Sequence, residues 1–405
     1  MLAGVKTLVA VLSLLALPLT SLADERDDAP LDELLAGLSS KDPRTRARAA
    51  QGCGQLGPAG AACIPGLLEL LDDDHGFEWG PEDGVEHPGI GSTPGSEAAY
   101  ALAKIGEAAV EGLIRTARGR NAHGRVGTVF ALGEIGDPRG LELMIAALRD
   151  RNAEVRAEAA ASLSLEPRTL QPYIRALEDR NVDVRLEAAR ALVGDWAVSE
   201  TVEPLAKVAL RDRDVDVACT AMYSLALGGD PRGADALAAV LRQSNRDPSI
   251  RTCAARYLDA FRGNAVAFDA LLAATGDPEE SVALASVGSL GGLRDERATD
   301  FLLSLLASPP DDRRRRHAIY ALGELGDQRA VEPLIQVLAT DDSASWVERR
   351  NAVIALQKIG GTRAVDALRD ALRHPDASIR YEAAKALEAL AERPEAASDP
   401  VTPAP

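Results

Sequence analysis

The chain has 405 residues, of which 46% are apolar, 26% charged and only 3% aromatic. That length allows two or three domains of ordinary size, and the apolar content excludes disorder over most of it. A net charge of −17 excludes a broad electrostatic grip on nucleic acid or on an anionic membrane.

Residues 1–23 read as an export signal. Lys6 supplies the charged region, and Leu8 to Leu19 is an apolar run of twelve residues broken only by Ser13 and Pro18. Ser21-Leu22-Ala23 places small residues at −3 and −1 of a cut before Asp24. The run is shorter than the roughly 20 residues that span a bilayer. The expectation is therefore a periplasmic or secreted protein with no membrane span after cleavage; an uncleaved N-terminal anchor is the alternative. Residues 24–30 form a short linker.

Export changes how the cysteines read. There are four, Cys53, Cys63, Cys219 and Cys253, and an even count in an oxidising compartment favours disulfides. The near pairs, Cys53–Cys63 and Cys219–Cys253, are the natural ones. The alternative is four small buried apolar side chains. No CxxC occurs, which argues against a metal site built on them.

From Leu31 the chain repeats itself. VRLEAARALVGD, from Val184 to Asp195, has relatives in VRAEAAASL from Val155, IRTCAARYL from Ile250 and IRYEAAKAL from Ile379. The apolar residue closing each copy falls at Cys53, Leu102, Leu132, Leu163, Leu192, Leu225, Leu258, Leu290, Leu322, Leu356 and Leu387. After a first gap of 49 the spacings run between 29 and 34 residues. There are thus eleven units with one insertion. Each unit carries two helical patterns. In the tenth, Arg329 to Leu338 places apolar residues at i, i+3, i+4 and i+7, and a second helix runs from about Trp346 to Ile359 before Gly360-Gly361 stops it. Gly136-Asp137-Pro138-Arg139 and Gly229-Asp230-Pro231-Arg232 supply a left-handed C′ glycine, a capping Asp and a first-turn Pro. A single hairpin of this size cannot bury its apolar face, whereas stacked hairpins can. The predicted fold is all-α, an α-solenoid (superhelix) of about eleven hairpins over residues 31–393. A disordered tail over 394–405 follows.

The pattern VRxxAAxALGxIGD with a following PRA resembles HEAT repeats, and more narrowly the HEAT-like repeats of the phycobilisome lyases (PBS lyases). The resemblance covers roughly Leu31 to Arg393. It implies second helices on a concave side and first helices on a convex side. It implies a binding scaffold in most cases and a bilin-attaching or bilin-removing enzyme in a minority. Export argues against the enzyme, because pigment attachment is cytoplasmic chemistry.

An Arg follows the position of the motif's opening Val as Arg46, Arg125, Arg156, Arg185, Arg251, Arg315, Arg349 and Arg380, and Asp150, Asp179, Asp247 and Asp376 precede four of these. Recurrence at one position in eight of the eleven units predicts a structural Arg–Asp ladder between repeats. Two, three and six positions after the opening residue share one side of the second helix. Position six holds Tyr100, Phe130, Tyr223 and Tyr320, and position two holds Leu186, Arg316 and Arg350. These seven are the candidate partner-binding residues for a protein or peptide. The alternative is that they lean into the packing between helices. Arg313 to Arg316 and Arg349-Arg350 form a local positive patch suited to a carboxylate or phosphate, or else a solvated face balanced by neighbouring Asp.

The insertion, 72–95, is rich in Gly and Pro and reads as a loop in which Phe77 and Trp79 are candidate contact anchors. His75 and His87, among many carboxylates, are weak metal candidates. Their spacing matches neither an EF-hand nor HExxH. No catalytic signature such as GxSxG, a P-loop or GxGxxG after a strand occurs. The expected protein is a non-catalytic scaffold without a cofactor, with a bilin-lyase-like enzyme and a metal-dependent module using the acidic loop as alternatives.

Overall fold

The computed structural model describes residues 30–79, 91–192, 198–308, 311–339 and 344–392. The expected signal, most of the short linker, His87 and the tail from 394 lie outside the described residues.

Helix ends are set by local side-chain chemistry. Asn121, Asn181 and Asp230 accept hydrogen bonds from the N–H groups of Gly124, Val184 and Arg232, at 2.8, 3.1 and 2.9 Å. Each thereby satisfies one of the donors that a helix start leaves without a partner. At the other end, Gly136 takes the left-handed conformation at φ 67° and its N–H bonds to the Leu132 carbonyl at 3.0 Å. A side chain with a Cβ is strained there.

The chain divides after Leu192 into two compact units. Among the described residues the first contains α1 (Leu31–Leu38), α2 (Pro43–Gln55), α3 (Ile64–Leu70), α4 (Pro94–Ile105), α5 (Val110–Thr116), α6 (Ala122–Ile135), α7 (Leu141–Ala147), α8 (Ala153–Ser162), α9 (Pro167–Ala176) and α10 (Val182–Ala191). The only strands described there are β1 (Phe77–Glu78) and β2 (Gly91–Ser92), an antiparallel pair with Phe77 opposite Ser92. The second unit contains α11 (Val198–Arg211), α12 (Val215–Gly228), α13 (Pro231–Leu241), α14 (Pro248–Tyr257), α15 (Ala265–Ala274) and α16 (Glu280–Gly292). It continues with α17 (Thr299–Ala307), α18 (Asp312–Leu325), α19 (Val331–Ala339), α20 (Trp346–Ile359), α21 (Thr362–Ala371) and α22 (Ala377–Ala391).

Odd-numbered helices are the first, and even-numbered helices the second, of successive hairpins. Within each unit, second helices stack on second helices: α2 on α4, α4 on α6, α6 on α8 and α8 on α10, then α12 on α14 and onward to α22. The architecture is the all-α solenoid. Its core is aliphatic, with the closing residues Leu102, Leu132, Leu192, Leu290, Leu322 and Leu356 almost wholly buried.

The glycine after the closing residue explains how closely second helices approach. A Cβ on Gly323 would lie 2.8 Å from the Ala355 Cα, and one on Gly291 would run into the Ala321 backbone. Glycine opposite alanine lets one backbone rest on the next, so burial is achieved without bulky side chains.

A ladder of ion pairs crosses the hairpin boundaries. Arg46 bonds to Asp73 at 2.7 Å. Arg125 and Arg156 fork onto Asp150 and Asp179, each with contacts of 2.7 and 2.8 Å. Arg251 pairs with Asp277, and Arg315 lies 3.9 Å from Glu348. In each case the acid belongs to the following hairpin, while Arg125 and Arg156 also hold a carbonyl of their own loop, those of Arg120 and Asp150. Asp247 and Asp376 are not rungs of this kind; they cap helices by accepting from the Ser249 and Ser378 N–H groups.

Candidate functional site: the second-helix faces

In the second unit the second helices present tyrosine. Tyr223 on α12 is 46% exposed, Tyr320 on α18 is 49% exposed and Tyr381 on α22 is 68% exposed. Tyr257 on α14 faces Tyr223 with ring centroids 5.7 Å apart. The Lys358 ammonium on α20 lies over the Tyr320 ring, 4.9 Å from its centroid, a cation–π contact. Four of the six tyrosines of the chain thus sit on second helices of this unit. Tyr257 and Tyr381 were not among the candidate residues. Tyr381 occupies position two of the last repeat and was legible by extending the same offset; Tyr257 sits one place past position six and was not.

The positive patch resolves into paired and unpaired members. Arg313 donates to Glu280 at 2.5 Å, Arg314 to Asp311 at 2.8 Å and Arg350 to Glu382 at 2.9 Å. Arg316, half-buried on α18, has no ion-pair or hydrogen-bond partner among the described residues. Arg256 on α14 and Lys385 on α22 are exposed and likewise without one. Between α14 and α18 lies α16, where a Cβ added to Gly288 would meet nothing within 4 Å.

The first unit presents a different surface. Tyr100 is half-buried beneath Lys104, whose ammonium is 4.7 Å from the ring centroid, and Leu186 is half-buried on α10. Phe130 is only 8% exposed and does not belong to the open face. With Val126 it lies in the packing of α6 between α4 and α8, the alternative weighed for this position. Position three instead carries acids. Burial pushes the Glu158 carboxyl up, even though the Ser162 hydroxyl donates to it at 2.6 Å, and the charges of Glu187 and Glu134 add to the effect. Burial also raises Glu97 and Glu187.

The described parts of the insertion, 72–79 and 91–95, are folded back rather than displayed. Trp79 is 5% exposed, so it is not a surface anchor. It packs edge-on against Phe77, centroids 4.8 Å apart, and its indole lies beside the half-buried Glu97 carboxylate, to which the Ser92 hydroxyl donates at 2.6 Å. A buried carboxylate needs donors, and this demand draws the tryptophan inward. Asp72 accepts from the Asn121 N–H at 2.9 Å and Asp73 from Arg46, so both are structural. His75 is exposed, with Nδ1 2.7 Å from Asp73. Among the described residues no cluster of three or more His, Cys, Asp or Glu side chains is placed to hold a metal ion.

Cys53 and Cys63 form a buried disulfide with Cα atoms 6.2 Å apart. Cys219 on α12 and Cys253 on α14 form a second, half-buried one with Cα atoms 5.7 Å apart.

The model for HEAT repeats matches overlapping windows that together run from residue 170 to 402, more than half of the sequence. The chain is a HEAT-repeat protein. Its N-terminal repeats also match the PBS lyase HEAT-like repeat, over residues 45–73 and 125–150. No curated protein matches it significantly. Among solved structures this HEAT-repeat protein is similar to Kap121p bound to RanGTP, at 14% identity and a TM-score of 0.59, over 96% of this chain and 48% of that one. It is also similar to the karyopherin Kap121p bound to the extreme C-terminus of the protein phosphatase Cdc14p, at 13% and 0.59, over 90% and 46%. Yeast importin-beta, Kap95p, gives 13% and 0.53, over 89% and 57%. At such identities the likeness is one of fold, and the chain spans about half the length of these structures. Among the described residues no helix is long and apolar enough to cross a membrane.

Proposed function

We propose that this HEAT-repeat protein is an exported, non-catalytic scaffold that binds a protein or peptide partner through the face of its second helices, the side that HEAT arrays turn inward. The observation that carries the reading is the row of exposed tyrosines on the second unit, in a chain with 3% aromatic residues. Tyrosine offers a large, stiff contact area with a polar tip, and it is enriched where proteins meet. The fold supports the same reading, since solenoids of this type include Kap121p, solved with RanGTP and with the end of Cdc14p. Export rests on the N-terminal residues 1–23, and two disulfides are what an oxidising compartment maintains.

The test is crosslinking in the native organism, followed by pull-down with the wild type and with Tyr223→Asp/Tyr320→Asp. The expected result is one captured protein, lost in the double variant while the melting temperature stays unchanged. Undiminished capture by the variant contradicts the assignment of the face.

A further inference from the structure

We infer that the occupant of the second unit's face is an extended acidic segment of a protein partner, held by Arg256 and Arg316 across the step at Gly288. The inference rests on the scaffold reading and adds the chemistry of the ligand.

The charge pattern of the face carries it. Of its carboxylates, Glu324 takes Lys358 and Glu382 takes Arg350, while Asp259, packed beside Gly292, is half-buried, and that burial raises its carboxyl toward the neutral form. Its cations are not all engaged. Arg256 and Arg316 have no partner among the described residues. In a chain of net charge −17 these two guanidiniums on one helix face are suited to forked hydrogen bonds with carboxylates.

Geometry then sets the ligand. Packed helices lie about 8–10 Å apart, and α14, α16 and α18 are successive neighbours. Arg256 and Arg316 are therefore separated by roughly 20 Å, or about six residues of extended chain at ~3.3 Å each. Midway, Gly288 presents open space where another helix would raise a side chain, so the ligand backbone can lie close. Tyr223 and Tyr320 flank the path and supply aromatic surface for the intervening residues. The matching segment has acidic residues about six positions apart, with small residues between them.

The test uses the purified protein and three fluorescein-labelled probes read by anisotropy: a twelve-residue Gly/Ser peptide with two Glu pairs centred six positions apart, the same peptide with Lys pairs, and a twelve-nucleotide oligothymidylate. The expected result is saturable binding of the Glu peptide at about 50 mM salt, weakening as screening increases. The affinity should fall about tenfold or more in Arg256→Glu/Arg316→Glu, and less in Arg256→Gln/Arg316→Gln. Neither side chain has an ion-pair or hydrogen-bond partner among the described residues, so the variants should melt as the wild type does. Any of four results overturns the inference: no binding of the Glu peptide, equal binding of the Lys peptide, tighter binding of the oligonucleotide, or an unchanged affinity in both double variants. If a partner captured in cells is lost with Tyr223→Asp/Tyr320→Asp but kept with Arg256→Glu/Arg316→Glu, the scaffold reading stands and this one falls.

Discussion

Arg156 of the fourth hairpin donates two hydrogen bonds to Asp179 of the fifth, at 2.7 and 2.8 Å, while the Asp179 carboxylate also accepts from the Asn181 N–H at 2.8 Å. One carboxylate thus joins a neighbouring hairpin to the start of its own second helix. Burial alone would raise the Asp179 carboxyl, but the Arg156 and Asn181 hydrogen bonds outweigh it and hold it below the ordinary range.

Removing the fork should loosen the stack. Arg156→Ala leaves a largely buried carboxylate without its charged donor and should cost about 1.5–3 kcal/mol in denaturant unfolding. The sign with pH follows from the depressed folded pKa. The stabilisation is present above the unfolded value near 3.9 and is lost as pH falls through the folded value. The wild type and Arg156→Ala should therefore converge in stability as pH falls below the ordinary carboxylate range. A gap that stays constant through acid titration would remove Asp179 as the group involved.

Glu158 should behave in the opposite way. Its folded pKa is raised by burial, so the folded state holds the proton more tightly and stability declines as pH rises from the unfolded value toward the folded one. Glu158→Gln keeps the shape and can still accept from Ser162. It should raise the melting temperature by a few degrees at pH 7.5 and by little at pH 4. Equal shifts at both pH values would refute the account.

Two glycines of α16, three residues apart, should answer substitution with opposite signs. Gly291→Val drives a side chain into the Ala321 backbone and should destabilise by about 1–3 kcal/mol or more. Gly288→Ala meets open space and should stabilise by about 0.5–1 kcal/mol through helix propensity. Equilibrium urea unfolding of both variants distinguishes the cases.

The two disulfides should differ in reach. Cys219–Cys253 is half-buried while Cys53 and Cys63 are fully buried. Brief treatment with a mild reductant, then alkylation and mass spectrometry, should label Cys219 and Cys253 first. Replacing both with Ser should cost roughly 2–4 kcal/mol.

Hairpin number and helix ends were legible because they are written in local chemistry. Gly136 and Asp230 act on their own turns, and the period of the closing leucines needs only self-comparison. Even the ladder was legible as a recurrence, although its rungs join Arg125 to the acid after it rather than to one before. Depth was not legible. Phe130 and Tyr223 hold the same position in their repeats, yet one is packed and the other open, because exposure depends on the neighbouring helices and not on the offset. Trp79 was misplaced for a related reason: the partner that draws it in, Glu97, lies eighteen residues further along.

The placement of the covalent links gives the array a direction. Cys53–Cys63 ties the first hairpin of the first unit to the turn that opens the second, and Cys219–Cys253 ties the first two hairpins of the second unit. Stacks of this kind come apart from their ends, because a terminal repeat has only one neighbour. With the first two hairpins of the second unit tied together, unravelling of that unit should begin at α22 and peel backward. Hydrogen exchange should therefore be fastest at α22 and slow toward the Cys219–Cys253 crosslink, a polarity that reduction would erase.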